Sequence, residues 1–162
     1  MSPPGSARPV ADADARAVAA LLRRPPAGDF TVAVRGPGGT PMVIANAPFL
    51  HDGSPMPTRY WLLDARLRDE VSRLESAGGV RQAEAAVDAD ALADAHRRYA
   101  AERDAPVPAA HAGPAPSGGV GGTRRGVKCL HAHLAWWLAG GDDPVGDWVA
   151  ARLALTRPGP GA

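Results

Sequence analysis

The sequence predicts an α+β fold, a small antiparallel sheet of about three strands packed by helices, and three observations carry that prediction. Short β-like runs cluster before residue 64, whereas helical spacing with capping signals dominates after it. Gly and Pro, 19 and 17 of the 162 residues, fall in clusters that punctuate these runs. Leu, Ile, Val and Phe supply only 29 residues against 34 alanines, so the core is expected to be small.

Residues 1–10 read as a flexible leader. From Ala11 to Arg24 the chain is Ala-rich with Val18, Leu21 and Leu22 at helical spacing, and Pro25 and Pro26 end it. Phe30 to Arg35 alternates apolar with small or polar residues, and Pro41 to Asn46 supplies a second run across the Gly36-Pro37-Gly38-Gly39 turn, a hairpin pattern. After the His51-Asp52-Gly53 turn, Arg59 to Leu63 offers a third strand. Asp64 is placed to cap a helix from Ala65 to about Ala77, with Leu67, Val71 and Leu74 on one face and Gly78 as its stop. Val80 to Asp104 is helical in composition, with a break at Asp88 to Asp90 and Asp90 as the expected cap. Ala105 to Gly122 holds four prolines and five glycines and is expected to be a linker or mobile loop. Thr123 is expected to cap a helix running to Leu138, and Asp143-Pro144 signals a last helix carrying Val145, Trp148, Val149 and Leu153. Residues 11–155 thus form one expected domain with an internal Pro/Gly-rich loop at 105–122, and 156–162 a flexible tail.

The composition excludes several function classes. No apolar run reaches the 18 residues of a membrane span, and the first residues lack the apolar segment of a signal peptide, so the expected location is cytoplasmic. Cys129 is the single cysteine, which excludes an internal disulfide and a CxxC metal knuckle. A formal net charge of +1 leaves no global basic field, which argues against a nucleic-acid partner. No metal site and no cofactor are expected.

The densest polar constellation surrounds Thr123. Gly118, Gly119, Gly121 and Gly122 precede Thr123, Arg124, Arg125 and Lys128, and a tight glycine backbone, free N–H groups and cationic side chains together suit a phosphate or carboxylate. The pattern is no Walker A loop, because GxxxxGK[ST] is absent. The first expectation is therefore a small-anion site using Arg124, Arg125, Lys128 and His131, with Arg59 outlying. A non-enzymatic module that docks a partner protein through the Trp-bearing C-terminal helices is the second. On a helical wheel Cys129 and His133 share a flank while His131 falls opposite, which frames a third reading, a Cys129/His133 hydrolase or transferase. A lone cysteine is more often a small buried residue, and Trp136, Trp137 and Trp148 read first as core anchors. Whether the chain catalyses anything is not decided at this level.

Three stretches have a family likeness: APFLHDGSPMPTRYWLLDARLRDEVSRLESAGGVR at 47–81, YAAERDA at 99–105 and RGVKCLHAHLAWWLAGGDDPVGDW at 125–148. They resemble domain-of-unknown-function family 501, small proteins of high-GC Gram-positive bacteria. The resemblance spans roughly residues 25–150, and its most specific words are the DG, P, PT and YWL of 52–62 and the VKCLH of 127–131. It implies kinship, with no activity, substrate or cofactor attached. Many members carry a cysteine where this chain has Gly36, a departure that counts against a two-cysteine metal or redox site.

Overall fold

A computed structural model describes residues 10–159. Most of the leader expected at 1–10 and the end of the tail expected at 156–162 lie outside the described residues. The first helix, α1 (Asp12–Leu22), carries Asp12 and Asp14 in its first turn, where carboxylates favour the positive helix end, and stops at Arg23 in the left-handed region (φ 58°). Strands β1 (Gly28–Arg35), β2 (Pro41–Leu50) and β3 (Tyr60–Leu62) form an antiparallel sheet in that order, so β3 is an edge. Thr31 faces Ala45 in the hairpin, and Val43, Ile44 and Ala45 face Leu62, Trp61 and Tyr60 on the other side of β2.

Five helices follow: α2 (Ala65–Ser76), α3 (Gly79–Ala86), α4 (Ala89–Asp104), α5 (Leu130–Leu138) and α6 (Pro144–Arg152). Asp64 caps α2 by accepting from the Leu67 N–H at 2.9 Å, and Asp143 caps α6 through the Val145 N–H, with Pro144 at the first helical position. The α3–α4 break is where the Asp88–Asp90 pattern puts it, but Asp88, accepting from the Ala91 N–H, is the cap and Asp90 sits inside the first turn.

Strand alternation sends side chains to two faces and so divides the core. Ile44, Phe30 and Leu63 pack with Val18 under α1, while Val34, Val43, Tyr60 and Leu62 join the larger cluster formed with α2 to α6. The sheet is therefore sandwiched, α1 on one face and the remaining helices on the other. Trp136 and Trp137 are buried in the larger cluster, their indole N–H groups donating to Glu102 and Asp147. That burial removes them from any exposed partner-docking surface. Trp148 is half-buried, with the Arg152 guanidinium 4.6 Å from its ring centroid.

Two expectations from the sequence fail in the same segment. The 105–122 stretch is not a mobile linker throughout, because its second half is packed. Pro116, Gly119 and Val120 are buried, and Arg103, 1% exposed, donates to the carbonyls of Pro57, Ser117 and Gly118. A Cβ on Gly119 would come within 2.4 Å of the His96 ring, so only glycine allows that approach. The expected helix from Thr123 does not form either. The Thr123 hydroxyl donates to the Arg125 carbonyl, Gly126 takes a positive φ of 63°, and regular helix begins only at Leu130.

Candidate functional site

A cleft of about 1120 Å³ opens along the β3 edge. Its walls are the C-terminal end of α1, the strand residues Tyr60 to Leu62, one face of α2, and the segment from Lys128 to Ala132 that enters α5. A strand at the edge of a three-stranded sheet leaves one side unpaired, and here the helices from the two faces flank that side without closing over it. Arg23, Arg24, Arg68, Lys128 and His131 line the space against one carboxylate, that of Asp69. The Arg24 guanidinium lies 6.0 Å from the Trp61 ring centroid, which holds it toward β3.

The α2 wall carries a more specific arrangement. Leu67, Val71 and Leu74 turn the apolar side of α2 into the core, and the adjoining stripe of Arg68, Ser72 and Glu75 follows from the same helical spacing. Glu75 bridges to α5, its Oε2 accepting the Leu130 N–H at 2.8 Å and its Oε1 lying 3.0 Å from His131 Nδ1. Those contacts give α5 the cap that its own N-cap residue, Cys129, leaves incomplete. The other ring nitrogen, Nε2, lies 3.4 Å from Ser72 Oγ and 3.3 Å from the Arg68 carbonyl. A carbonyl only accepts, so in the Arg68 contact Nε2 donates its N–H, with the Ser72 hydroxyl oxygen as its second neighbour.

The residues singled out from the sequence fall in different places. Lys128 and His131 line the cleft, whereas Arg124 and Arg125 are exposed beside it and do not. Arg59 is turned to α4, 3.6 Å from Glu102 and stacked over Tyr60. Cys129 and His133 are not flank neighbours, a correction that follows from the late start of α5. Cys129 is extended (φ −149°, ψ 149°) and borders the cleft with His131, the residue the wheel set opposite it. Burial pushes the Cys129 thiol up, against the N–H groups of Ala132 and His131, so the sulfur is no ready thiolate. His133 is fully buried, its Nδ1 2.7 Å from the equally buried Asp143, whose other oxygen caps α6. His51 is paired with Asp29 on the surface and His96 is held by backbone groups, so neither comes to Cys129. Among the described residues no cluster of three His, Cys, Asp or Glu side chains is arranged to hold a metal ion, and no helix is long and apolar enough to cross a membrane.

Sequence reasoning missed Arg68, Ser72, Glu75, Arg23 and Arg24. The i, i+4, i+7 spacing of Arg68, Ser72 and Glu75 was a visible signal, since it runs parallel to the apolar stripe one residue earlier. Nothing in the sequence announced Arg23 and Arg24, which follow the end of α1 and reach the cleft only because α1 covers the far face of the sheet.

No curated protein and no solved structure matches the chain. A family model described as "Protein of unknown function (DUF501)" matches residues 32–151, which takes in the whole sheet from Val32 onward, the Ser72–His131–Glu75 cluster and nearly all of α6. The match covers well over half of the 162 residues, and the chain is a member of the DUF501 family.

Proposed function

We propose that the chain binds a small anionic, phosphorylated ligand in the β3 cleft, with Lys128 and His131 as principal contacts and Arg68, Arg23 and Arg24 completing a cationic wall. The observation that carries this reading is the charge imbalance of the lining, four cationic side chains (Arg23, Arg24, Arg68 and Lys128) with His131 beside them against Asp69, in a chain whose formal net charge, histidines counted neutral, is only +1. A cleft with low-dielectric walls concentrates such a field, and the apolar floor of Tyr60, Trp61 and Leu62 suits the organic part of a phosphorylated molecule. Arg124, Arg125 and Arg59 take no part, since they do not line the space.

Thermal midpoints with inorganic phosphate, pyrophosphate and adenosine monophosphate test the reading. A ligand at about 100 times its dissociation constant stabilises by about 2.7 kcal/mol, a rise of several degrees in a domain of this size. Lys128→Ala and Arg68→Ala are expected to lose most of that rise, and Arg124→Ala to keep it. Flat midpoints with all three ligands, or equal loss in Arg124→Ala, would overturn it.

A further inference from the structure

The anion reading uses the walls of the cleft and leaves the open edge of β3 without a role. In the β2–β3 ladder the Leu63 N–H donates to the Met42 carbonyl and the Arg59 carbonyl accepts the Asn46 N–H, so Arg59, Trp61 and Leu63 turn main-chain groups to β2. Tyr60 and Leu62 alternate with them and turn theirs outward. The Tyr60 N–H donates to the Tyr99 hydroxyl at 3.3 Å. Among the described residues no hydrogen bond takes the Tyr60 carbonyl or either main-chain group of Leu62. Tyr60, Trp61, Leu62 and Leu63 all line the cleft although their side chains alternate between the two core clusters, so what they share with it is the main chain of the edge.

The cations stand on both sides of that edge. Arg23 and Arg24 follow α1, which covers one face of the sheet, whereas Arg68 of α2 and Lys128 ahead of α5 belong to the other. A strand added to β3 sends successive side chains to these two faces in turn. An extended backbone uses the outward main-chain groups and both sets of charge together, while a small anion uses the charge alone. A second copy of the chain is a poor occupant, because pairing edge to edge would bring two cationic linings together. We propose that β3 takes an acidic, extended segment of a partner protein as a further strand of the sheet. Its main chain pairs with the Tyr60 carbonyl and with Leu62, and its alternate carboxylates meet Arg23 and Arg24 on one face and Arg68 and Lys128 on the other. The acidic character of the partner rests on the anion-binding reading; the strand pairing does not.

The capped, fluorescein-labelled heptapeptide Val-Glu-Glu-Val-Glu-Glu-Val is the probe, since its Glu side chains fall on both faces when it is extended. Its anisotropy should rise to saturation with the full chain. Replacing every Glu by Gln should weaken binding about tenfold, and so should N-methylation of the central Glu-Val-Glu, which keeps the charge and removes the strand donors. Arg24→Ala and Lys128→Ala, one from each face, should each weaken it about threefold, with Arg124→Ala unchanged. Amide exchange at Leu62 should slow about tenfold more with the peptide than with pyrophosphate at an equal rise in thermal midpoint. Equal binding of the N-methylated peptide, or no such difference at Leu62, would overturn the added strand, and equal binding of the Gln peptide would overturn the acidic partner. No peptide binding while pyrophosphate still raises the midpoint would overturn the proposal and leave the anion reading standing. Saturable peptide binding with a flat midpoint in pyrophosphate would support the strand and overturn the small-ligand reading. Dimers of the free chain that protect Leu62 would make a second copy the occupant and overturn the partner.

Discussion

His96 is held neutral by what surrounds it. Its Nδ1 accepts the Val120 N–H at 3.0 Å and its Nε2–H donates to the Gly126 carbonyl at 2.9 Å, so both nitrogens are committed to backbone partners. Burial lowers its pKa from the ordinary 6.5; the Gly126 carbonyl opposes the shift, His133 at 6.0 Å between ring centroids adds to it, and Asp143 again opposes it. The unfolded chain therefore takes up the proton first as pH falls. The stability His96 contributes is complete above about pH 6.5 and is lost as pH drops from there toward the folded pKa, by about 1 kcal/mol per pH unit within that window. Urea midpoints measured from pH 8 to pH 5 should fall across that window in the wild type and fall less in His96→Gln; equal slopes would show that His96 is not the group responsible. Tyr99 belongs to the same buried layer. Its hydroxyl accepts from the Arg59 and Tyr60 N–H groups at 2.6 and 3.3 Å, and burial pushes its pKa up to about 12, which keeps it a neutral phenol across any ordinary pH.

The segment from Ser117 to Cys129 shows why composition misreads a loop. Its glycines are those of a flexible linker, yet Arg103 of α4 gathers three carbonyls from two loops and binds Asp104 through Nε and Nη2 at 2.8 and 3.0 Å. An arginine on a polar helix face carries no sequence sign that it will be buried, so the long-range clamp was not legible. Arg103→Met keeps the stem volume and removes the donors, leaving the Pro57, Ser117 and Gly118 carbonyls without that partner. The expected cost is about 3 kcal/mol, read as a lower urea midpoint, together with faster thermolysin cleavage within residues 105–120. Unchanged stability and unchanged cleavage would mean that the loop is held by its own backbone bonds. The hairpin, the third strand and the capped helices α2 and α6 were legible because periodicity and capping are local. The start of α5 was not, since its N-terminal partner, Glu75, comes from 55 residues away.

The sandwiched sheet explains why one place on the protein gathers chemistry. Helices on both faces of a three-stranded sheet overhang the β3 edge, and side chains from α1, α2 and the entry to α5 converge there although they are distant in sequence. That convergence also separates what the sequence could say of the site from what it could not. Lys128 and His131 were visible as a basic helix approach, and they border the cleft. Arg124 and Arg125 had the same local credentials and lie outside it, because the backbone turns at Gly126 before the helix begins. A formal net charge of +1 hides the local excess, which only the fold assembles. Amide resonances followed during titration with pyrophosphate locate the ligand directly. The account predicts saturable shifts at Lys128 to Ala132, at Arg68 to Ser72 and at Arg23 and Arg24, with Arg124 and Arg125 little changed. Shifts confined to Arg124 and Arg125, or none that saturate at the cleft, would contradict it.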